Sequence, residues 1–424
     1  MLYDNALLLF VYAEAYQKTG NPSYAHTVED LVTFLERDLG DEAGAFYSAL
    51  DADSEGEEGR FYIWRRDDIE AILGADDAML YCDYYNITDI GNFEGYNIPN
   101  LIDSDVVAFA KTRGLDPLAW QARVCVLNAR LFAAREGKIH PHLDDKVLTA
   151  WNGLMIAGLA KAGRVFGKPA WIQRARQAFS FVKEHLVTPE GRLLARYRDG
   201  HAAFNAYTDD YANLIFAALE LYESTFDTVY LSQAIAWQTD MLSLFWDDVA
   251  DGFFLYGSDS ESLIARPKEI YDGATPSGNS VAVMNLLRLA DVTGDTRWRD
   301  VADRVFHAFG GRIGGHPASY CFLLMGAMRA AQPGAELVIC GERDTAQLNV
   351  ALCSFQSRFE PNLTILFVPE GELDEQAELE KIAPFTREQR MRDGRLTFYL
   401  CENFACQSPT HDLARVLQSL AANS

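Results

Sequence analysis

TAWNGLMIAGLAKAGRVF (149–166) is apolar on nearly every side, and its centre, LMIAGLAKA (154–162), sets small residues between large ones. A helix with that pattern is buried over most of its surface. Gly167-Lys168-Pro169 then signals a turn. WIQRARQAFSFVKEH (171–185) follows, with one apolar and one polar face, in a helix that runs to about residue 187. The two read as a hairpin with an inner and an outer member.

The same design recurs three times. DNALLLFVYAEAYQKT (4–19) is followed by Gly20-Asn21-Pro22 and a helix to about 38. TDDYANLIFAALELYESTF (208–226) is followed by Asp227-Thr228 and a helix to about 246. SGNSVAVMNLLRLADVT (277–293) is followed by Gly294-Asp295-Thr296 and a helix to about 309. Self-similarity on this scale marks a helical repeat or a toroid. Links from an outer helix to the next inner helix are long, at about 39–65, 188–207 and 247–276, and compact domains keep such links for a use. In a ring of parallel inner helices those links share one end with the helix starts. Asp4, Asn5, Trp151, Asn152, Asp209, Asp210, Ser277 and Asn279 then converge on a central funnel. The links carry glycine-aromatic text, GAFYSA (44–49), GRLLARY (191–197) and GFFLYG (252–257). Further helices are expected at 67–73, 77–85 and 117–135, with a last ring helix at 317–331, nearly enough for six hairpins. Beyond 332–334, ELVIC (336–340), LTILFV (363–368) and 396–401 read as strands alternating with helices, the order of a small parallel α/β lobe. The expected fold is mainly α: an (α/α)6 toroid over 1–332, incomplete at its N-terminus, and a small α/β domain over 333–424.

The 424 residues carry a net charge of −24, which disfavours nucleic acid and anionic membrane surfaces as partners. No run of about 18 apolar residues offers a membrane span, and no signal peptide is legible. Seven scattered cysteines, with no C-x-x-C pair, suggest a reducing compartment and mostly buried thiols. The expected location is cytoplasmic. Cys401 and Cys406 read as buried, inert thiols, against a lowered pKa at a loop that opens a helix.

GAFYSALDADSEGEEGRFYIW (44–64) reads as an acidic loop between two short aromatic strands. Asp51-Ala-Asp53-Ser-Glu55-Gly56 resembles the start of a calcium loop, but Tyr62 stands where the closing bidentate Glu belongs. No metal site and no cofactor are expected. Asp51 and Asp53 remain candidates to face the funnel opposite Asp210. Two carboxylates across a sugar site, one as acid and one as base, are what glycoside hydrolysis uses. The plainer reading of Asp209 and Asp210 is a favourable interaction with the helix N-terminus. Lys146 and Trp151 place a charge beside an indole, a face on which a sugar ring stacks, although Trp151 suits a core equally. ARPKEIYDGATPSGN (265–279) is the densest polar stretch. Arg266, Tyr271, Asp272, Ser277 and Asn279, with Asn152 and Asp209, are the candidates for orienting a ligand.

Seven motifs in order, MLYDN (1–5), DADSEGEEG within 44–64, GNFEG (91–95), DKVLTAWNG (145–153), TDDYA (208–212), RPKE (266–269) and YDGATPSGNS (271–280), resemble the YyaL / spermatogenesis-associated protein 20 family over essentially the whole chain. The resemblance implies a thioredoxin-like domain followed by an (α/α)6 toroid akin to N-acylglucosamine 2-epimerases and six-hairpin glycosidases. No thioredoxin-like text is present here, and no histidines match the epimerases' acid/base positions. The expected function is binding or processing of a small sugar-like molecule in a carboxylate-lined funnel. The alternative is a non-catalytic scaffold or redox-associated module that partners a thioredoxin-like domain in full-length relatives.

Overall fold

The structure is a computed structural model that describes residues 1–102, 104–261, 264–332, 334–402 and 405–422. In chain order, α1 (Leu2–Thr19) and α2 (Pro22–Phe34) come first. β1 (Ala49–Leu50), β2 (Asp53–Ser54), β3 (Glu57–Glu58), α3 (Arg66–Leu73), α4 (Ala75–Tyr84), α5 (Val106–Thr112), α6 (Pro117–Arg135) and β4 (Leu143–Asp144) follow. Next are β5 (Val147–Leu148), α7 (Thr149–Val165), α8 (Pro169–His185), β6 (Leu194–Arg198), β7 (His201–Asn205), α9 (Thr208–Thr225), α10 (Thr228–Phe245), α11 (Gly278–Thr293), α12 (Thr296–Ile313) and α13 (Cys321–Ala331). Last are β8 (Ala335–Gly341), α14 (Ala346–Gln356), β9 (Leu363–Pro369), α15 (Leu373–Ile382), β10 (Thr397–Glu402), β11 (Ala405–Cys406) and α16 (Leu413–Ala422). Two compact units result: 1–48 with 145–424, and 49–144. Among the described residues no helix is long and apolar enough to cross a membrane.

The first unit is the mainly α toroid-class body. Inner helices α1, α7, α9, α11 and α13 pack side by side in that order, and α2, α8, α10 and α12 each cover the inner helix that precedes them. Three of these four outer helices begin with a cap: Asn21, Asp227 and Asp295 each accept the backbone N–H two residues on, which satisfies a donor that the helix start leaves free. Small residues on the inner helices are required by contact. A Cβ on Gly158 would lie 2.7 Å from the Ala6 carbonyl oxygen, and one on Gly153 2.8 Å from the Asn213 carbonyl carbon. Phe216 on α9 meets Phe10 on α1 at 5.4 Å and Phe322 on α13 at 6.0 Å, so the row curls and fills its middle with aromatic rings. Arg164 and Arg288 lie buried with Glu220 at the far ends of α7, α11 and α9.

Beyond Ala331 the chain turns to strands, in the sheet order β11-β10-β8-β9. The sheet is mixed where an all-parallel one is expected: β8 and β9 are parallel, but β10 runs antiparallel to β8. A parallel neighbour needs a crossover that returns the chain to the same end. After α15 the chain instead winds through 384–396 and enters β10 from the opposite end. The sheet and its helices sit against the C-terminal ends of the inner helices, where Gln17 reaches the Gln356 carbonyl and Arg343 the Thr225 carbonyl. The N-terminal ends are left to the links.

The second unit corrects the helix count. Residues 67–135 do not supply further hairpins to the row, because α1 packs directly on α7. They form a separate unit around Trp64, Ile69, Tyr81, Cys82, Leu127 and Leu131, and around Tyr84, Ala110, Trp120 and Val124. β1 and β4 pair antiparallel at its two chain ends. An insertion whose ends are held together by a ladder needs no place in the repeat.

Candidate functional site at the N-terminal ends of the inner helices

Each long link is tied down in the same way. The chain leaving an outer helix forms a single antiparallel bridge a few residues on: Gly40 with Phe46, Val187 with Leu193, Trp246 with Phe253. A residue in the first turn of the next inner helix then grips the bridged residue. The Phe46 N–H donates to Asn152 Oδ1 at 3.0 Å, and Asn152 Nδ2 donates to the Phe46 and Leu148 carbonyls, both at 3.0 Å. The Phe253 N–H donates to Asn279 Oδ1 at 2.8 Å, and Asn279 Nδ2 donates to the Phe253 carbonyl at 2.9 Å and the Glu269 carbonyl at 2.7 Å. At the middle repeat Tyr211 stands in, its hydroxyl accepting from the Leu193 N–H at 3.4 Å. Asn152 and Asn279 are therefore buried loop clamps, with their amides fully engaged, and the expectation that they orient a ligand is corrected. Asn279→Ala leaves buried backbone groups of Phe253 unpaired. A loss of about 2 kcal/mol is expected in urea unfolding, with faster amide exchange across 247–257.

Three aspartates stitch neighbouring helix starts together. Asp210, buried, accepts the Ala150 N–H of α7 and the Tyr207 N–H before α9, both at 2.8 Å, one on each oxygen. Asp209 accepts the Gly278 N–H of α11 at 2.8 Å. Asp272 accepts the Ser277 N–H at 2.9 Å and, on its other oxygen, the Phe322 and Leu323 N–H groups of α13 at 2.8 and 3.1 Å. Helix starts carry unsatisfied N–H groups and partial positive charge, so carboxylates shared between adjacent helices suit both. Burial pushes Asp210 up to about 7, against the two N–H groups that favour its charge. Burial also pushes Asp209 up to about 6, opposed by the Gly278 N–H and assisted by the nearby charge of Glu269.

The two neighbours differ in what is left over. Both Asp210 oxygens are bound and the residue is buried. Asp209 is half-buried, and among the described residues its second oxygen accepts no hydrogen bond. The polarity expected from the sequence, with Asp210 as the acid and Asp209 as a ligand contact, is thus opposite to the available geometry. Glu269, exposed and electrostatically coupled to Asp209, is the carboxylate that sequence reasoning passed over. Its position in RPKE beside the ligand candidates was the signal.

The other candidates are dispersed in role. Trp151 is half-buried, its ring edge-on to Tyr3 at 4.8 Å, which leaves part of the indole open. Tyr271 is 57% exposed. Ser277 is the buried N-cap of α11, accepting from the Ser280 N–H. Arg266 is a loop tie: its guanidinium donates to the Tyr256 carbonyl at 2.8 Å and lies over the Phe254 ring at 4.1 Å. Lys146 is half-buried in the turn between β4 and β5. Asp51 and Asp53 lie in the second unit and are exposed. Asp51 accepts the Asp53 N–H at 3.1 Å, a local turn bond. The acidic residues themselves form the strands, correcting the expected aromatic ones: β2 pairs with β3 across Glu55 (φ 56°) and Gly56 (φ 79°), the positive-φ pair that a two-residue hairpin demands. Among the described residues no group of three or more His, Cys, Asp or Glu is placed to hold a metal ion. The cysteine expectation is also corrected. Cys401 is disulfide-bonded and stands opposite Cys406 in the β10–β11 ladder, while Cys125, Cys321 and Cys353 are exposed.

No family model matches the chain. It is 31% identical over 447 residues to spermatogenesis-associated protein 20 of Homo sapiens, an alignment covering 97% of this chain and 56% of that protein. It is 30% identical over 446 residues to the Mus musculus protein of the same name, with the same coverage. An uncharacterized protein of Caenorhabditis elegans is 26% identical over 442 residues, covering 96% of this chain and 59% of that one. The chain thus spans a little over half the length of these relatives. Among solved structures it is similar to cellobiose 2-epimerase from Bacillus thermoamylovorans B4167, with TM-score 0.39 and 8% identity over 78% of this chain and 61% of that one. It is also similar to a D-mannose isomerase, with TM-score 0.37 and 14% identity over 73% and 75%. Over 97% of its length the chain is thus similar to the spermatogenesis-associated protein 20 family, whose motifs its sequence carries.

Proposed function

We propose that the chain binds and processes a small hydroxyl-rich molecule of carbohydrate type at the N-terminal ends of the inner helices, and that Asp209 is the carboxyl that exchanges a proton with it. The observation that carries this reading is Asp209 itself. One oxygen is fixed by the Gly278 N–H, the other is unengaged among the described residues, and burial lifts the group to about 6, within reach of a working acid near neutral pH. Glu269 supplies the second carboxylate that acid/base chemistry on a sugar uses. The open part of Trp151 and the exposed Tyr271 offer faces on which a pyranose ring stacks. Asp210 serves this site by holding α7 and α9 in register.

A panel of free sugars and aryl glycosides, screened by calorimetry and for turnover, tests the reading. With a sugar that binds, Asp209→Asn is expected to keep affinity within a few-fold while turnover falls by about 100-fold. Wild-type turnover should decline as pH rises through about 6, as Asp209 loses its proton. Unchanged turnover in Asp209→Asn removes Asp209 from the chemistry. If no sugar binds, the site reading fails and the scaffold reading, a module that partners a thioredoxin-like domain, takes its place.

A further inference from the structure

Far from the candidate sugar site, a cavity of about 860 Å³ opens where the end of α11, the start of α12, the end of α13 and the first residues of β8 meet. One side is apolar, formed by Ala290, Ala330, Pro384 and Phe385. Phe385 is large and aromatic yet 39% exposed, an apolar surface that the fold leaves uncovered. The other side is charged and holds Asp291, Arg299 and Glu336. These groups differ in how far they are spent. Asp291 uses both oxygens: one accepts from Arg299 of α12 at 3.2 Å, the other from Arg329 of α13 at 2.7 Å. Arg329 is committed as well, donating to the Pro361 carbonyl and to Thr364 Oγ1. Thr364 is the β9 residue paired with Glu336 in the parallel register, so Arg329 is anchored on the sheet beside Glu336. Arg299 and Glu336 keep capacity. Among the described residues Arg299 makes one hydrogen bond, to Asp291, and the Glu336 carboxyl accepts none from another residue.

We propose that this cavity binds an amphipathic carboxylate, whose anionic head pairs with Arg299 and accepts a hydrogen bond from the Glu336 carboxyl while its apolar body lies along Ala330 and Phe385. A guanidinium with spare N–H groups suits a carboxylate, because the two planar groups match as a fork. Glu336 suits the second contact. Burial and the charge of Asp291 push it up to about 7, against its own N–H and the charges of Arg299 and Arg329. The strands beside it add no titrating group: β9 presents Thr364, and Cys401, opposite on β10, is disulfide-bonded. Near neutral pH Glu336 therefore holds a proton readily and donates as a neutral carboxyl. Two guanidinium groups then face one carboxylate, and the charged side carries an excess of positive charge. An ammonium head would meet Arg299 as a like charge, and an alcohol would leave that guanidinium without an anion. The cavity is of ordinary size for a small-molecule site. It shares no residue with the site around Asp209, so the proposal stands whether or not a sugar binds there.

The test is equilibrium dialysis of the whole chain against phenylbutyrate, phenylbutanol and phenylbutylamine, which share one body and differ in the head. Phenylbutyrate is expected to bind more tightly than the other two at pH 6, and to weaken by about tenfold at pH 8, where Glu336 has lost the proton that the complex needs. Arg299→Ala should cost about tenfold or more at pH 6. Glu336→Gln, whose amide still donates, should keep the pH 6 affinity within a few-fold and lose the pH dependence. Absence of phenylbutyrate binding overturns the proposal. So does tighter binding of the amine, an Arg299→Ala variant that binds as wild type does, or a pH dependence that persists in Glu336→Gln. If a variant fails to fold, the wild-type series decides. The acid binding ahead of the alcohol and the amine, and weakening from pH 6 to pH 8, supports the site, and any other order or trend overturns it.

Discussion

Arg288→Ala is expected to destabilise the protein by about 3–5 kcal/mol, read as a drop in urea midpoint at pH 7. Arg288 is buried near the C-terminal end of α11 and bonds two carboxylates of α9, Glu220 at 2.7 Å and Glu223 at 2.6 Å. Arg164 of α7 closes the cluster on the other side, reaching the same two glutamates at 2.6 and 2.8 Å. Four charges balance in pairs. Removing one guanidinium leaves a buried negative charge without its partner, and that uncompensated charge sets the size of the effect. The acid limb provides a second check. Burial would raise Glu223, yet Arg288 and Arg164 hold it down to about 2. Its contribution is therefore present above the ordinary glutamate range and is lost as pH falls through about 2. In Arg288→Ala acid unfolding should begin at a higher pH. A variant that matches wild type in both measurements would mean that water already solvates the cluster.

Asp210→Ala is expected to cost about 3 kcal/mol at pH 5, because it strips the acceptor from two N–H groups at the starts of α7 and α9. At pH 8 the loss should be smaller. The folded pKa of Asp210, about 7, lies above its unfolded value of 3.8, so the native state binds the proton more tightly. The corresponding stability is fully present below about pH 4 and is lost as pH rises through 7. Asp209, at about 6, adds to the same slope. Wild type should become less stable between pH 4 and 7 by a few kcal/mol, and Asp210→Asn should flatten that decline. A slope of the opposite sign, or one unchanged in the variant, would show that Asp210 is not buried as described.

The hairpins were legible because their signals are local. In TAWNGLMIAGLAKAGRVF (149–166) the composition declares burial on all sides, and the glycine- or aspartate-marked turns end each inner helix within a residue or two of the observed boundary. The convergence of helix starts was legible for the same reason, since parallel inner helices have their starts at one end. Phe226 shows the limit of such reading: it takes a left-handed backbone (φ 55°) at a turn where the other hairpins use glycine, and no sequence rule placed it there.

The amino-acid sequence by itself determined that this protein is a row of inner and outer helices joined to a strand-bearing C-terminal part, because periodicity and turn residues act over a few positions. Only the tertiary structure decided which polar groups are spent. Asn152, Asn279 and Asp272 look like ligand contacts in a linear text, and Asp210 like a catalytic acid, but each faces backbone N–H or C=O groups brought from another segment. Those groups had to be paired once buried. It also decided that 49–144 stands as its own unit, and that among the described residues Asp209 rather than Asp210 keeps an oxygen unengaged. Both follow from contacts between residues far apart in the chain, which no local pattern records.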